Sequence, residues 1–359
     1  MDKKNARMKQ LKKGIIALTV TAALVSAPLV LPAKHVNAAS VSSYKIINQT
    51  INVDGVKTQL PAISTDSTTY IALRSLNQSI GLTTKWDKAN NTVTVTGRDR
   101  VLVLNLGSGV TLLNNQQLYG LPAIVQNNTT YVPIRFLLER MGYGVSYDKV
   151  TKGIGIEAIK ENDLKISTAV IKENDVKQTI LVNYPQISGF ANEAVQKKIN
   201  DKLKSEAEAN VEATRGLLKE ALGDPIDDSL PDVSFEGTYT ITYNEQGKLS
   251  LYVNYYIYTG GAHGSTARVP YTFDLATGNQ LTLKEAAGGN AKYVSIINNE
   301  IQSQIKARGI GLLNPFKTIE QDREFFLKHN GVVVYFTQYE YTPYSEGMPE
   351  FEVPFVAFK

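Results

Sequence analysis

The stretch TTYIALRSL, Thr68 to Leu76, returns as TTYVPIRFL, Thr129 to Leu137. The 61-residue offset holds on both sides of it. Leu60, Pro61, Ala62 and Ile63 return as Leu121, Pro122, Ala123 and Ile124, Gly81 as Gly142, and Trp86, Asp87 and Lys88 as Tyr147, Asp148 and Lys149. Val93 and Val95 complete the match with Ile154 and Ile156. An offset that never slips over this length means two copies of one folding unit, an organisation that serves spacers and presentation arrays more often than active sites. The chain is therefore read first as a binding protein.

Each copy reads as strand, hairpin, strand, short helix, strand, turn, strand. Asp54-Gly55 is a hairpin signal, and Asn114-Asn115 takes the matching place with weaker turn chemistry. Pro133 stands where a helix begins, a position that tolerates its missing N–H, and Gly142 ends that helix; Ala72 and Gly81 are the counterparts in the first copy. Thr92-Val93-Thr94-Val95-Thr96 alternates as a half-buried strand. One copy is too small to bury much by itself, so the two are expected to pack as one domain over residues 43–158.

The order V-D-G, T-T-Y-[IV]-[AP]-[LI]-R, Gly, aromatic-Asp resembles the copper amine oxidase N-terminal-like domain, a stalk domain common on Gram-positive surface proteins. The resemblance implies a spacer or wall-associated module without the oxidase chemistry. That copper centre needs three His ligands and a tyrosine that matures to a quinone. After residue 38 the chain holds only His263 and His329, and no Asn-Tyr pair is followed by an acidic residue. No cofactor and no metal site is expected. Arg74 and Arg135, at equivalent places, are read as tying the helix start to the turn.

Residues 1–38 are read as a signal peptide. Lys3, Lys4, Arg7, Lys9, Lys12 and Lys13 precede an apolar run from Gly14 to Leu31, and Val36-Asn37-Ala38 supplies small residues for cleavage before Ala39. The competing reading is an uncleaved anchor, because the run approaches the ~18 residues that span a bilayer; Pro28 and the Val-Asn-Ala site favour cleavage, which leaves no stable membrane span. Cleavage removes seven basic residues and one acidic residue and turns a net charge of +4 into −2. No concentrated basic face remains for a nucleic acid. With no cysteine in the chain, neither disulfides nor a lipid-bearing Cys hold it, which fits a secreted, cell-wall-associated protein of a Gram-positive bacterium.

From Asp163 the composition changes. Two strand-like runs, Leu164 to Ile171 and Val176 to Asn183, are followed by Tyr184-Pro185, read as a break. A long amphipathic helix is expected from near Phe190 to Leu222, because Val195, Ile199, Leu203, Ala207 and Val211 recur every fourth residue before Gly223-Asp224-Pro225. Phe235 to Ile257 reads as a hairpin around Asn244 to Gly247. The glycine-rich corner Thr259-Gly260-Gly261-Ala262-His263-Gly264 leads to a strand, Ala267 to Asp274, and a turn at Ala276-Thr277-Gly278. A second helix is expected near Lys292 to Arg308. A strand from Gly331 to Gln338, a loop through Tyr341 to Gly347 and a last strand from Glu350 to Phe358 complete the chain. The fold class is α+β: a duplicated, β-rich stalk domain, then an antiparallel sheet with two helices over residues 163–359.

Y-x-Y-T-G-G-A-H-G, D-L-A-T-G and Y-x-Y-T-P-Y-S-E-G-M-P-E-F, in that order, resemble the paired domains of unknown function DUF4163 and DUF3298. These form the extracellular part of the anti-sigma factor RsiV and precede the catalytic domain of the deacetylase PdaC. RsiV binds lysozyme through this region, so the resemblance implies a muramidase-binding or wall-sensing ectodomain. No segment long enough to hold a sigma factor precedes the apolar run, and no deacetylase domain follows Lys359, so neither role is expected to carry over.

For binding, Tyr341, Pro343, Tyr344 and Met348 are the candidates: tyrosine offers wide contact area at little conformational cost, and proline stiffens its presentation. Gly260, Gly261, His263 and Gly264 are read as a structural loop motif whose imidazole holds a loop carbonyl. The expected partner is a lysozyme-like muramidase or peptidoglycan, and no enzyme activity is expected. The alternative is a wall hydrolase using His263 with Ser265, Asp274 or another nearby acid, or a carboxylate pair such as Glu340 with Glu346 or Glu350. No G-x-S-x-G elbow, His-Glu-x-x-His or P-loop supports it.

Overall fold

The computed structural model describes residues 43–359 apart from 66–67, 119, 121, 224 and 227–228, so the expected signal peptide lies outside the described residues. The first copy gives β1 (Ile46–Val53), β2 (Val56–Ser64), β3 (Thr69–Ala72), α1 (Leu73–Ile80), β4 (Thr83–Asp87) and β5 (Thr92–Gly97). A linking strand, β6 (Arg100–Asn105), leads to β7 (Thr111–Leu113), β8 (Gln116–Leu118), β9 (Ile124–Gln126), β10 (Thr129–Pro133), α2 (Ile134–Arg140), β11 (Tyr143–Tyr147) and β12 (Ile154–Ala158).

Local chemistry explains why the repeated letters recur. Asp54 and Gly55 both have positive φ, as a two-residue hairpin turn demands, and Asn114 and Asn115 reach the same geometry at φ 48° and 68° without a glycine. Asp87 accepts from the Ala89 and Asn90 N–H groups, and Asp148 likewise from Val150 and Thr151, so the aromatic-Asp pair ends a strand and caps a turn in both copies.

The copies interleave. One sheet runs β11-β12-β1-β2-β3-β10-β9 and the other β4-β5-β6-β7-β8. The second copy's β12 lies parallel to the first copy's β1, pairing Ile51 with Ile154 and Val53 with Ile156. In exchange the first copy's β4–β5 hairpin joins β7 and β8 through β6. Ile51, Leu76, Val95, Leu102, Leu138 and Ile156 meet in one core, so neither copy can complete its hydrophobic layer alone. Each such side chain stabilises the fold by ~1.5–3 kcal/mol on burial.

The remaining elements are β13 (Lys165–Asp175), β14 (Gln178–Ser188), α3 (Glu193–Leu222), β15 (Val233–Glu245), β16 (Lys248–Tyr258), β17 (Ser265–Asp274), α4 (Leu283–Ala286), α5 (Tyr293–Arg308), β18 (Phe325–Lys328), β19 (Gly331–Tyr335) and β20 (Glu350–Pro354). Asn192 caps α3 by accepting from the Val195 N–H, and Val195, Ile199, Leu203, Ala207, Val211, Leu218 and Leu222 bury its inner face. Its outer face carries the i,i+4 pairs Lys197–Asp201, Lys202–Glu206 and Lys204–Glu208.

Several expectations need correction. Tyr184-Pro185 does not break the chain: β14 runs through it, and Pro185 is tolerated because β15 stops pairing with β14 at Val182, leaving no ladder partner for the missing N–H on that side. The β14–β15 pair is parallel, because α3 carries the chain back across the sheet. The last strand stops at Pro354 and gives way to a 3-10 turn over Phe355–Phe358. The short strand β18 and the one-turn helix α4, closed by a capping box between Thr282 and Glu285, were not anticipated. The C-terminal strands form two sheets, β13-β14-β15-β16-β17 and β18-β19-β20, each with its own core. Tyr252, Phe326, Val333 and Tyr335 pack together between them.

The two halves of the chain are joined by polar contacts. Buried Gln116 on β8 donates to the Tyr239 carbonyl at 2.7 Å and accepts from its N–H at 2.9 Å, mimicking a strand neighbour for β15. Glu161 bridges to Glu245 and is neutralised by Arg100 at 2.5 Å and Arg98 at 3.4 Å. His329, in the turn between β18 and β19, reaches Glu245 of β15 at 2.8 Å and Glu157 of β12 at 2.7 Å. Gly144 leaves room for that ring, since a Cβ there would stand 2.8 Å from its Cδ2.

Candidate functional site

The glycine-rich corner and the tyrosine loop, about eighty residues apart in sequence, meet at one carbonyl. Gly264 O accepts from His263 Nδ1 at 2.9 Å and from the Tyr344 hydroxyl at 3.3 Å, while its N–H donates to the Tyr256 hydroxyl at 3.1 Å. A carbonyl only accepts, so Nδ1 carries a proton, and Nε2 stands 3.5 Å from the Tyr339 hydroxyl. The His263 and Tyr344 rings stack with centroids 4.0 Å apart, and Tyr339 lies 5.7 Å from Tyr344. Gly264 has to be glycine: a Cβ would overlap the Ile257 carbonyl and the Tyr256 ring. Gly260 and Gly261, both at φ 95°, turn the chain into this corner, where the Tyr258 hydroxyl closes on the Gly261 carbonyl at 3.0 Å.

The base of the loop is fixed by charge. Arg323 grips Glu340 with both terminal nitrogens, at 2.5 and 2.7 Å, and Glu340 also accepts from the Thr337 N–H. Burial alone would raise the Glu340 pKa, but the Arg323 contacts outweigh it and hold the carboxyl below its ordinary value. Gln338 ties the loop to β17 by accepting from the Thr266 N–H at 2.8 Å. Beneath, Arg268 lies over the Tyr252 ring and pairs with Glu350 at 2.8 Å, and Lys328 pairs with the same carboxylate at 2.9 Å. Glu350 is likewise lowered: burial opposes, but Lys328 and Arg268 prevail. Glu340 and Glu350 are thus each committed to cations.

The predicted site residues separate. Tyr344 belongs to the stack, Pro343 precedes the 3-10 turn Tyr344–Glu346 that presents it, and Met348 is half-buried in the segment beyond. Tyr341 points inward, against Phe336 at 4.6 Å and Phe316 at 5.5 Å. Sequence reasoning missed Tyr339, which is 54% exposed and holds φ 63°, a left-handed backbone that costs a bulky residue ~1–3 kcal/mol. Two tyrosines flanking a half-buried acid, Tyr339-Glu340-Tyr341, face opposite ways, and no local pattern separates the outward ring from the inward one. Arg135 donates to the Val145 carbonyl and Glu139, both at 2.9 Å, linking its helix start to β11, while Arg74 is exposed.

The His263–Tyr344–Tyr339 face is an open platform. It offers stacked planar rings, a hydroxyl and an imidazole edge, and among the described residues no carboxylate hydrogen-bonds His263. A hollow of about 110 Å³ at the joint, lined by Arg135, Glu139, Thr242, Lys328, His329 and Glu352, is small for an organic ligand. Among the described residues no group of three or more His, Cys, Asp or Glu is placed to hold a metal ion, and no helix is long and apolar enough to cross a membrane.

Comparison with known proteins places three regions along the chain. Residues 50–183 match the copper amine oxidase N-terminal domain, residues 171–266 the deacetylase PdaC family, and residues 286–356 a family of unknown function, DUF3298. The anti-sigma-V factor RsiV of Bacillus subtilis is 27% identical over 196 residues, covering 51% of this chain and 65% of that protein. The match thus spans less than two thirds of that relative. A solved DUF3298 protein from Bacteroides fragilis is 17% identical with a TM-score of 0.43, and one from Pseudomonas aeruginosa 19% identical with 0.38; each likeness covers 55% of this chain and 93% of the other. The order expected from the motifs, a copper amine oxidase N-terminal-like region followed by a PdaC-like and DUF3298 region, is the order found.

Proposed function

We propose that the protein is an exported, wall-associated binding protein whose His263–Tyr344–Tyr339 face engages a lysozyme-type muramidase or peptidoglycan, and that it catalyses no reaction itself. The observation that carries this is the convergence of two distant motifs on the Gly264 carbonyl to display rings in place of a cleft. Tyrosines held by a neighbouring ring and a backbone bond lose little freedom on binding, which is what makes such residues anchors. The relationship to an anti-sigma factor supports a sensing or regulatory ectodomain. In this arrangement the interleaved unit carries the platform away from its attachment, and the Arg323–Glu340 clamp keeps the loop in shape between encounters.

The test is retention of lysozyme and of insoluble peptidoglycan by the purified chain beginning at Ala39. Tyr344→Ala and Tyr339→Ala should each weaken retention by about tenfold, near 1.4 kcal/mol, with an unchanged melting temperature. Retention of neither ligand would reject the proposal. Clearing of a wall suspension that is abolished by His263→Ala would replace it with hydrolysis.

A further inference from the structure

One long sheet edge stands open. Strand β13, 11 residues from Lys165 to Asp175, ends the β13-β14-β15-β16-β17 sheet and pairs with β14 alone. Its register runs unbroken from Lys165–Ser188 to Asp175–Gln178, and it contains neither a bulge nor a proline. The opposite edge, β17, is occupied: the Thr266 N–H goes to Gln338 and the Arg268 carbonyl to the Tyr335 hydroxyl. The other edge strands, β4, β8, β9, β11, β18 and β20, have five residues or fewer.

Two sets of contacts show which way the backbone of β13 points. The Asn200 side chain takes both the N–H and the carbonyl of Ile187, each at 2.8 Å, and the Lys177 carbonyl accepts from the Val233 N–H at 2.8 Å. Odd-numbered residues along β14 therefore turn their peptide groups away from β13. Residues opposed in an antiparallel ladder point either toward each other or away from each other. Ile166 opposes Ile187, so Ile166, Thr168, Val170, Lys172 and Asn174 turn their N–H and carbonyl groups outward. Among the described residues none of these backbone groups is hydrogen-bonded. Native sheets shorten, bend or cover such an edge, because it is a template for a further strand.

We propose that β13 pairs antiparallel with the β13 of a second copy of this chain, about a two-fold axis at Val170. The strand is complementary to itself in that register. With Val170 opposite the partner's Val170, every outward residue meets an outward residue, Ile166 the partner's Asn174 and Thr168 the partner's Lys172, giving about ten backbone hydrogen bonds. The same register sets Lys165 opposite the partner's Asp175, twice by symmetry. Both residues are exposed, and among the described residues neither forms an ion pair. Asp175 accepts from the Val176 N–H, a neutral group that does not offset its charge. Sliding by two residues, the smallest step that keeps outward groups matched, sets Asp163 opposite the partner's Asp175 or Lys165 opposite the partner's Lys177. Glu173 faces Arg215 of α3, so Val170, of opposite parity and 52% exposed, lies on the other face and packs on its counterpart. The joined sheet has ten strands, with a β17 at each outer edge.

Sedimentation equilibrium of the chain from Ala39 should show a mass that doubles as concentration rises through the micromolar range. Val170→Pro deletes one outward N–H and no bond to β14, so it should remain monomeric with an unchanged far-UV spectrum. Lys165→Asp and Asp175→Lys should each weaken dimerisation about tenfold or more, because two attractive pairs become two repulsive ones, and combining them should restore it. A chain that stays monomeric at about 1 mM would leave the edge to a strand from another protein and overturn the proposal. A dimer that survives Val170→Pro, or a combined variant as weak as the single ones, would overturn it as well. The charge swap reads the register even where the proline variant folds poorly.

Discussion

Replacing His329 by alanine should loosen the joint between the two halves of the chain, and the loss should depend on pH. The side chain is 24% exposed and its two partners are unlike: Glu157 is 62% exposed and Glu245 only 6%. The solvated Glu157 contact is worth at most about 1 kcal/mol. Removing the imidazole leaves the Glu245 carboxylate buried without its cation, a change that costs ~3 kcal/mol. Burial alone would lower the His329 pKa, but the hydrogen bonds and charges of Glu245 and Glu157 raise it above its ordinary 6.5. A group whose pKa is raised by folding contributes its full stabilisation below the unfolded value and loses it as pH climbs through the folded one. The cost of His329→Ala should therefore be about 3 kcal/mol at pH 6 and about 1 kcal/mol at pH 9, where a neutral ring keeps one ordinary hydrogen bond. Urea unfolding of both proteins at both pH values measures it, and taking the difference between them cancels the titrating groups that His329 does not touch. An equal cost at pH 6 and pH 9, or a larger loss from Glu157→Gln than from Glu245→Gln, would refute this account of the joint.

Gly264→Ala should abolish the platform and lower the melting temperature, because the added Cβ meets a backbone carbonyl that cannot move aside; loss of the ring-current shift on His263 in a proton spectrum would register it, and an unshifted spectrum would contradict it. Tyr335→Phe removes a hydroxyl that donates to Glu324 at 2.6 Å and lies 3.1 Å from the Arg268 carbonyl. The loss of a bond to a charged group should cost ~2 kcal/mol in urea unfolding, and a change below about 0.5 kcal/mol would mean that water replaces it.

Much of the fold was legible because its signals are local. The fixed offset, the left-handed hairpin turns, the glycine after each short helix and the four-residue beat of α3 are each written in a few neighbouring residues. The exchange of hairpins was not. Pairing of β12 with β1 or of β5 with β6 satisfies the same alternation of Val, Ile and Thr as pairing within a copy, and only the shared core decides between them. The same limit applied at the platform. The corner at His263 and the loop at Tyr344 were each visible as chemistry, but their meeting depends on β17 and β19 being locked by Arg268, Tyr252 and Tyr335. The break read at Tyr184-Pro185 failed for a related reason, since proline is excluded only where a neighbour needs its N–H.

The parallel seam between β1 and β12 has a mechanical consequence. Tension on a tethered chain would enter the interleaved unit at Ile46 and leave it at Ala158, dragging these adjacent, like-directed strands lengthwise past one another. Hydrogen bonds loaded in that way share the pull and must rupture together, whereas a hairpin peeled from its open end gives them up one after another. A tether built so would resist stretching by flow or by a growing wall until the force on the whole row exceeded its limit, and would then yield abruptly.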